Sequence, residues 1–149
     1  MKARDLMTPE PARVTPSDTL ERVSQLMAEH DCGCIPVVSA AEQRSVVGVV
    51  TDRDIAVRGV AQGRPTSTPI GDIMTPNPEC CAPDDSIEWV ERLMSDRQIR
   101  RVVIVDNAGE CVGILAQADL ARAAKRQQEP SPKQMVDVLE KISRPPAST

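Results

Sequence analysis

The sequence predicts an α/β (α+β) protein built from one unit written twice, each copy running strand–helix–strand–strand–helix. Three observations carry that prediction. Asp5-Leu6-Met7-Thr8-Pro9 returns as Asp72-Ile73-Met74-Thr75-Pro76, 67 positions later. Apolar residues at helical spacing follow in each copy: Leu20, Val23, Leu26 and Met27, then Ile87, Val90, Leu93 and Met94. Two short apolar runs then pair up in each copy, Ile35 to Val38 with Val46 to Val50, and Val102 to Val105 with Val112 to Leu115.

Taken in order, Leu6-Met7-Thr8-Pro9 is a short lead-in that proline stops. Ala12 to Thr15 reads as an extended piece and Pro16-Ser17 as a turn. Asp18-x-x-Glu21 has the spacing of a helix N-cap with a carboxylate three residues on. Polar loops separate the paired strands, most turn-like at Asp106-Asn107-Ala108-Gly109. A second helix is expected from Asp52 to about Ala61, and its counterpart from Gln117 to about Lys125. Gly63 to Pro69 is a linker by composition, and Arg126 to Lys133 a polar break. Met135, Val138, Leu139 and Ile142 form an apolar stripe on a last helix from Gln134 to Ile142, which must cover its own module or a partner subunit. The resulting boundaries are 1–62 for the first repeat, 63–70 for the linker, 71–126 for the second repeat, and 127–149 for a short helix with a disordered tail.

Composition narrows the function. Of 149 residues, 40% are hydrophobic and 27% charged, the balance of a globular chain. Trp89 is the only aromatic of the Phe/Trp/Tyr class, so aliphatic residues build the core and stacking platforms for single-stranded nucleic acid are missing. A net charge of −4 also argues against a nucleic-acid partner. No apolar run reaches the roughly 20 residues needed to cross a bilayer, and no secretory leader follows Met1. The expected compartment is the cytoplasm, with no membrane partner. The five cysteines (Cys32, Cys34, Cys80, Cys81, Cys111) are an odd set, and neither close pair has C-x-x-C spacing. Packed, reduced thiols are one reading; a thiol or metal sensor with His30 nearby is the other.

The stretch with the most chemistry is Gly48-Val49-Val50-Thr51-Asp52-Arg53-Asp54, where a strand hands over to a helix. Free backbone N–H groups and the positive end of a helix dipole suit a phosphate or a ribose at such a junction. A carboxylate can accept two hydrogen bonds from a ribose diol, and a guanidinium fork fits phosphate oxygens. Thr51-x-x-Asp54 also has capping-box spacing, and the two roles do not exclude each other. The second copy keeps Asp119 but carries Ala116 and Ala118 where the first has Thr51 and Arg53, so its site is expected to be weak, altered or empty. Gly48 and Gly113 are expected to serve close packing or a bulge.

On these residues (the paired Met-Thr-Pro segments, Ile35-Pro36-Val37-Val38, and Gly48 through Asp54 with the counterpart ending at Asp119) the chain resembles a tandem pair of CBS domains, named after cystathionine β-synthase. The likeness covers roughly residues 1–125. It extends to small bacterial stand-alone pairs of the hypoxic-response-protein type, which share Thr-Asp-Arg-Asp-Ile, the Arg-Arg pair and a short C-terminal helix. The resemblance implies two repeats packed through their sheets into one pseudo-two-fold module that dimerises. It further implies clefts between the repeats that bind an adenosyl regulatory ligand such as AMP, ADP, ATP or S-adenosylmethionine, with no cofactor required. The aspartate matching Asp54 and the hydroxyl matching Thr51 then hold the ribose. Val14, Thr15, Ile35 and Pro36 sandwich the adenine, and Arg53, Arg100 and Arg101 meet phosphates. The weaker second site comprises Ala82, Val102, Val103 and Asp119.

The expected function is thus a non-catalytic regulatory module, read out by an unidentified protein target. A ligand-free interaction dimer and a cysteine-based redox or metal sensor are the alternatives. No nucleophile–base pair, P-loop or carboxylate dyad points to an enzyme.

Overall fold

The computed structural model describes residues 1–127 and 131–145. Its elements are α1 (Ala3–Leu6), β1 (Thr8–Pro9), α2 (Leu20–His30), β2 (Cys34–Val38), β3 (Val46–Thr51), α3 (Asp52–Asp54), β4 (Thr75–Pro76), β5 (Cys80–Cys81), α4 (Ile87–Arg97), β6 (Arg101–Val105), β7 (Cys111–Ala116), α5 (Gln117–Gln127) and α6 (Pro132–Ser143). They form two compact units, and each unit draws segments from both repeats. One contains Glu10–Pro78 and Asp106–Cys111; the other contains Met1–Pro9, Glu79–Val105 and the chain from Val112 on. Each lead-in segment is therefore built into the unit that carries the other repeat's helices.

The Glu10–Pro78 unit has a three-stranded sheet in the order β2-β3-β4, with both neighbouring pairs antiparallel. Val14 adds a parallel bridge to Val37 on the far side of β2, the extended piece expected at Ala12 to Thr15. β2 is buried along its whole length, which explains why Cys34-Ile35-Pro36-Val37-Val38 reads as an unbroken apolar run. Val14, Leu20, Val23, Met27, Ile35, Val37, Val50, Ile70 and Ile73 close the core. Each such aliphatic side chain contributes about 1.5–3 kcal/mol of burial.

The other unit repeats the design with a four-stranded sheet, β1-β7-β6-β5, in which β1 is antiparallel to β7 and β5 parallel to β6. Its core joins Ile87, Val90 and Met94 of α4 to Met135, Val138 and Ile142 of α6. The last helix thus covers its own module. It begins at Pro132, two residues earlier than its apolar stripe suggests, because Ser131 and Gln134 form a reciprocal capping box and proline fits the first helical position.

Two local expectations need correction. The N-caps of α2 and α4 are Thr19 and Ser86, each accepting a backbone N–H with its side chain, and not the preceding aspartates. Asp18 and Asp85 instead accept the backbone N–H of Thr15 and Ala82, both at 2.8 Å, and so brace the turn before the helix. The helical run after Thr51 does not stay α: Asp52–Asp54 is followed by a π-helical stretch, Ile55–Gly59, and a 3₁₀ turn, Val60–Gln62. The linker is pinned at Thr68, whose hydroxyl donates to the Pro65 carbonyl at 2.6 Å and whose own carbonyl accepts the Leu20 N–H. Of the expected polar break and disordered tail, 128–130 and 146–149 lie outside the described residues.

Candidate functional site

Val14, Thr15, Ile35, Pro36, Thr51, Arg53 and Asp54 all lie in the Glu10–Pro78 unit, which holds the strand-to-helix junction. β3 delivers Thr51 opposite Cys34 at the mouth of β2, and Val50 opposite Ile35. The capping box then folds Asp54 back on Thr51. The Asp54 N–H donates to Thr51 Oγ1 at 3.1 Å, and the Thr51 N–H donates to Asp54 Oδ2 at 3.0 Å. Asp54 is only 8% exposed. A carboxylate is seldom buried without compensation, and two further groups supply it. Thr75 Oγ1 lies 3.5 Å from Oδ1 and 3.4 Å from Oδ2, and Arg58 Nε lies 3.8 Å from Oδ1. Both approaches are long for hydrogen bonds. One oxygen is thus fixed by the backbone, while the carboxylate's other partners are held loosely.

The sequence pointed to Thr51 and Asp54 but missed Thr75 and Arg58. Arg58 stands four residues after Asp54, an ion-pair spacing on a helix, and was legible. Thr75 belongs to the repeated Met-Thr-Pro segment, but only the exchange of lead-in segments places it beside Asp54. β4 carries it there by pairing Thr75 with Val49 and Pro76 with Gly48. Gly48 permits this approach: a Cβ on it would stand 2.7 Å from Met74 Sδ and 2.9 Å from the Thr75 carbonyl. Met7 crowds Gly113 in the same way in the other unit, so close packing is what both glycines serve.

The Ile35 side chain lies wholly in the core, leaving its backbone as the part able to meet a ligand. Pro36 is buried too, and its carbonyl accepts the Val14 N–H at 3.2 Å. Thr15 is half-buried, with its hydroxyl near Ser17 and Asp18. Arg53 is exposed, and among the described residues its guanidinium enters no ion pair. Arg100 and Arg101 belong to the other unit.

In that unit Ala82, Val102, Val103 and Asp119 occupy the matching elements. Asp119 Oδ2 accepts the Ala116 N–H at 2.8 Å, the counterpart of the Thr51–Asp54 bond. With alanine at 116 there is no hydroxyl to accept the Asp119 N–H in return, and Asp119 Oδ1 is paired with Arg122. Val102 and Val103 are buried at 1% exposure each. The second aspartate therefore keeps its backbone anchor but has a guanidinium on its other oxygen.

Among the described residues, no group of three or more His, Cys, Asp and Glu is placed to hold a metal ion. Cys34, Cys81 and Cys111 are buried. Burial, then the nearby Asp85, pushes the Cys81 thiol up to about 12, and burial with Glu79 raises Cys80. Neither is a reactive thiolate at neutral pH.

Comparison with known proteins agrees with this architecture. The model of the CBS domain family matches residues 3–59 and again 70–126. This chain belongs to the CBS domain family, as a tandem pair. It is 43% identical over 118 residues to the CBS domain-containing protein YhcV of Bacillus subtilis, covering 79% of this chain and 81% of that protein. It superimposes on the crystal structure of Hypoxic Response Protein I with two coordinated zinc ions with a TM-score of 0.73, at 32% identity, covering 82% of this chain and 98% of that one. CBSX2 of Arabidopsis thaliana in complex with AMP gives a TM-score of 0.73 at 27% identity, covering 85% of this chain and 98% of the other.

Proposed function

We propose that this protein is a non-catalytic regulatory module that binds an adenosyl ligand, an adenine nucleotide or S-adenosylmethionine, at the Thr51/Asp54 junction. The observation that carries the reading is the Asp54 carboxylate. It is anchored at 3.0 Å by the Thr51 backbone but only loosely met by Thr75 and Arg58. Ribose hydroxyls would replace those long contacts with short, charge-assisted ones. The Val14–Thr15 backbone and the Ile35–Pro36 strand flank the adenine position, and Arg53, with no ion-pair partner among the described residues, is available to phosphate. That CBSX2 takes AMP supports the same ligand class here.

In this reading Ala82, Val102, Val103 and Asp119 serve a second, weaker site. The module works as a cytoplasmic homodimer whose ligand state a protein target reads. The energy available to that target is limited to the ligand's differential affinity for the two states. Isothermal titration of AMP, ADP, ATP and S-adenosylmethionine into the wild type, Asp54→Asn and Asp119→Asn tests it. Binding that Asp54→Asn removes and Asp119→Asn spares is the expected result. No heat with any of the four, in ligand-free folded protein, would leave the interaction-dimer reading in its place.

A further inference from the structure

Helices α4 and α6 meet along a polar stripe as well as an apolar one. Glu88, Glu91, Arg92 and Asp96 recur at three- and four-residue spacing on one face of α4, and Asp137 and Lys141 do so on α6. These side chains line a cavity of about 240 Å³ within the unit that carries α6. Four of them are carboxylates and two are cations. Among the described residues neither Arg92 nor Lys141 comes within 4.0 Å of a carboxylate, so the acidic excess is not neutralised by ion pairs.

Glu91 is the unusual member. It is 7% exposed, and its Oε1 is enclosed with no hydrogen-bond partner among the described residues. Enclosing a carboxylate oxygen without a partner is unfavourable, and the fold does not demand it. The matching position in the first repeat is Ser24, which satisfies itself by donating to the Leu20 carbonyl at 2.8 Å. The glutamate occurs only in the repeat that α6 covers. Burial, and next the charge on Glu88, push its carboxyl up from the ordinary carboxylate range, and a cation beside it would favour the charged form and oppose both.

We propose that this cavity is a binding site for a small organic dication, a diamine with primary ammonium ends, anchored by Glu91. An ammonium donates three hydrogen bonds from a compact charge, which matches one buried carboxylate with others around it. A divalent metal fits less well, since among the described residues no group of three or more acidic, Cys or His ligands is placed to hold one.

The test is isothermal titration of 1,4-diaminobutane into the full chain at neutral pH and low salt, with 1,4-butanediol as the neutral isostere. Wild type, Glu91→Gln and Asp137→Asn are compared, each checked for folding by circular dichroism. Saturable one-to-one binding of the diamine and none of the diol is expected. Affinity should fall about tenfold or more in Glu91→Gln and a few-fold in Asp137→Asn. Absence of saturable diamine binding, or equal affinity in wild type and variants, overturns the proposal; the latter marks diffuse attraction to an acidic protein. Should Glu91→Gln fail to fold, an unchanged affinity in Asp137→Asn overturns it alone.

Discussion

The Thr75 hydroxyl stands 3.4 Å from Asp54 Oδ2, 21 residues away in sequence, and lays the second repeat's lead-in segment over the carboxylate of the first. Asp54 therefore has two duties. Its Oδ2 caps the turn that starts the helical run, and in the function proposed above its carboxylate is the group offered to a ligand.

Separate substitutions should part these duties. Thr51→Ala removes the cap and is expected to lower unfolding free energy by about 1 kcal/mol in urea titrations. Asp54→Asn keeps an acceptor for the Thr51 N–H but loses the charge. It should weaken AMP binding about tenfold or more, the measure of a charge-assisted hydrogen bond, with a smaller loss of stability. Equal AMP affinity in Asp54→Asn and wild type would place the ligand elsewhere.

Gly48 sets how closely β4 can approach. An added methyl would meet Met74 Sδ, which can move, and the Thr75 carbonyl, which is fixed by the ladder. Gly48→Ala is expected to cost about 1–3 kcal/mol, the usual penalty for overpacking. It should also raise hydrogen-exchange rates around Thr75 more than in α2. A neutral substitution by both measures would show that β4 has room to shift.

Much of this was legible because a duplicated sequence states its pattern twice. The apolar runs located the strands, the offset between the two Met-Thr-Pro segments located the repeats, and Thr51-x-x-Asp54 gave both the cap and the candidate carboxylate. Thr75 was not legible as a neighbour of Asp54, because local pattern does not say which sheet a lead-in segment joins. Asp18 has cap spacing but does not cap, because Thr19, one residue later, is equally able to. Glu91 could have been seen: positions 87, 90, 91 and 94 share the inward face of a helix, and a glutamate there stands out against Ser24.

The cysteines should differ in reactivity as their surroundings dictate. Cys81 is 3% exposed with its thiol pushed up to about 12, so an alkylating reagent at neutral pH should leave it unmodified until the unit unfolds. Cys80 is exposed and should react earlier, though more slowly than an ordinary thiol, because burial of its sulfur region and Glu79 raise it. Mass spectrometry after timed alkylation reads both. Rapid modification of Cys81 in folded protein would contradict the packing of β5 against β6.

Glu91 makes stability depend on pH in a particular direction. Its folded-state carboxyl is raised above the ordinary 4.5 by burial and then by Glu88, so folding favours the protonated form. Below the unfolded-state value Glu91 is protonated in both states and its stability contribution is full. As pH rises through the higher folded-state value that contribution is lost, because the charged form must be accommodated between α4 and α6. Glu91→Gln keeps the shape and cannot ionise. It should therefore be more stable than wild type near neutral pH, with the difference shrinking as pH falls toward 4.5. Urea midpoints for both proteins across this range measure the effect. A difference that does not change with pH would mean that Glu91 stays in one protonation state throughout, and that its buried oxygen is compensated by something other than a proton.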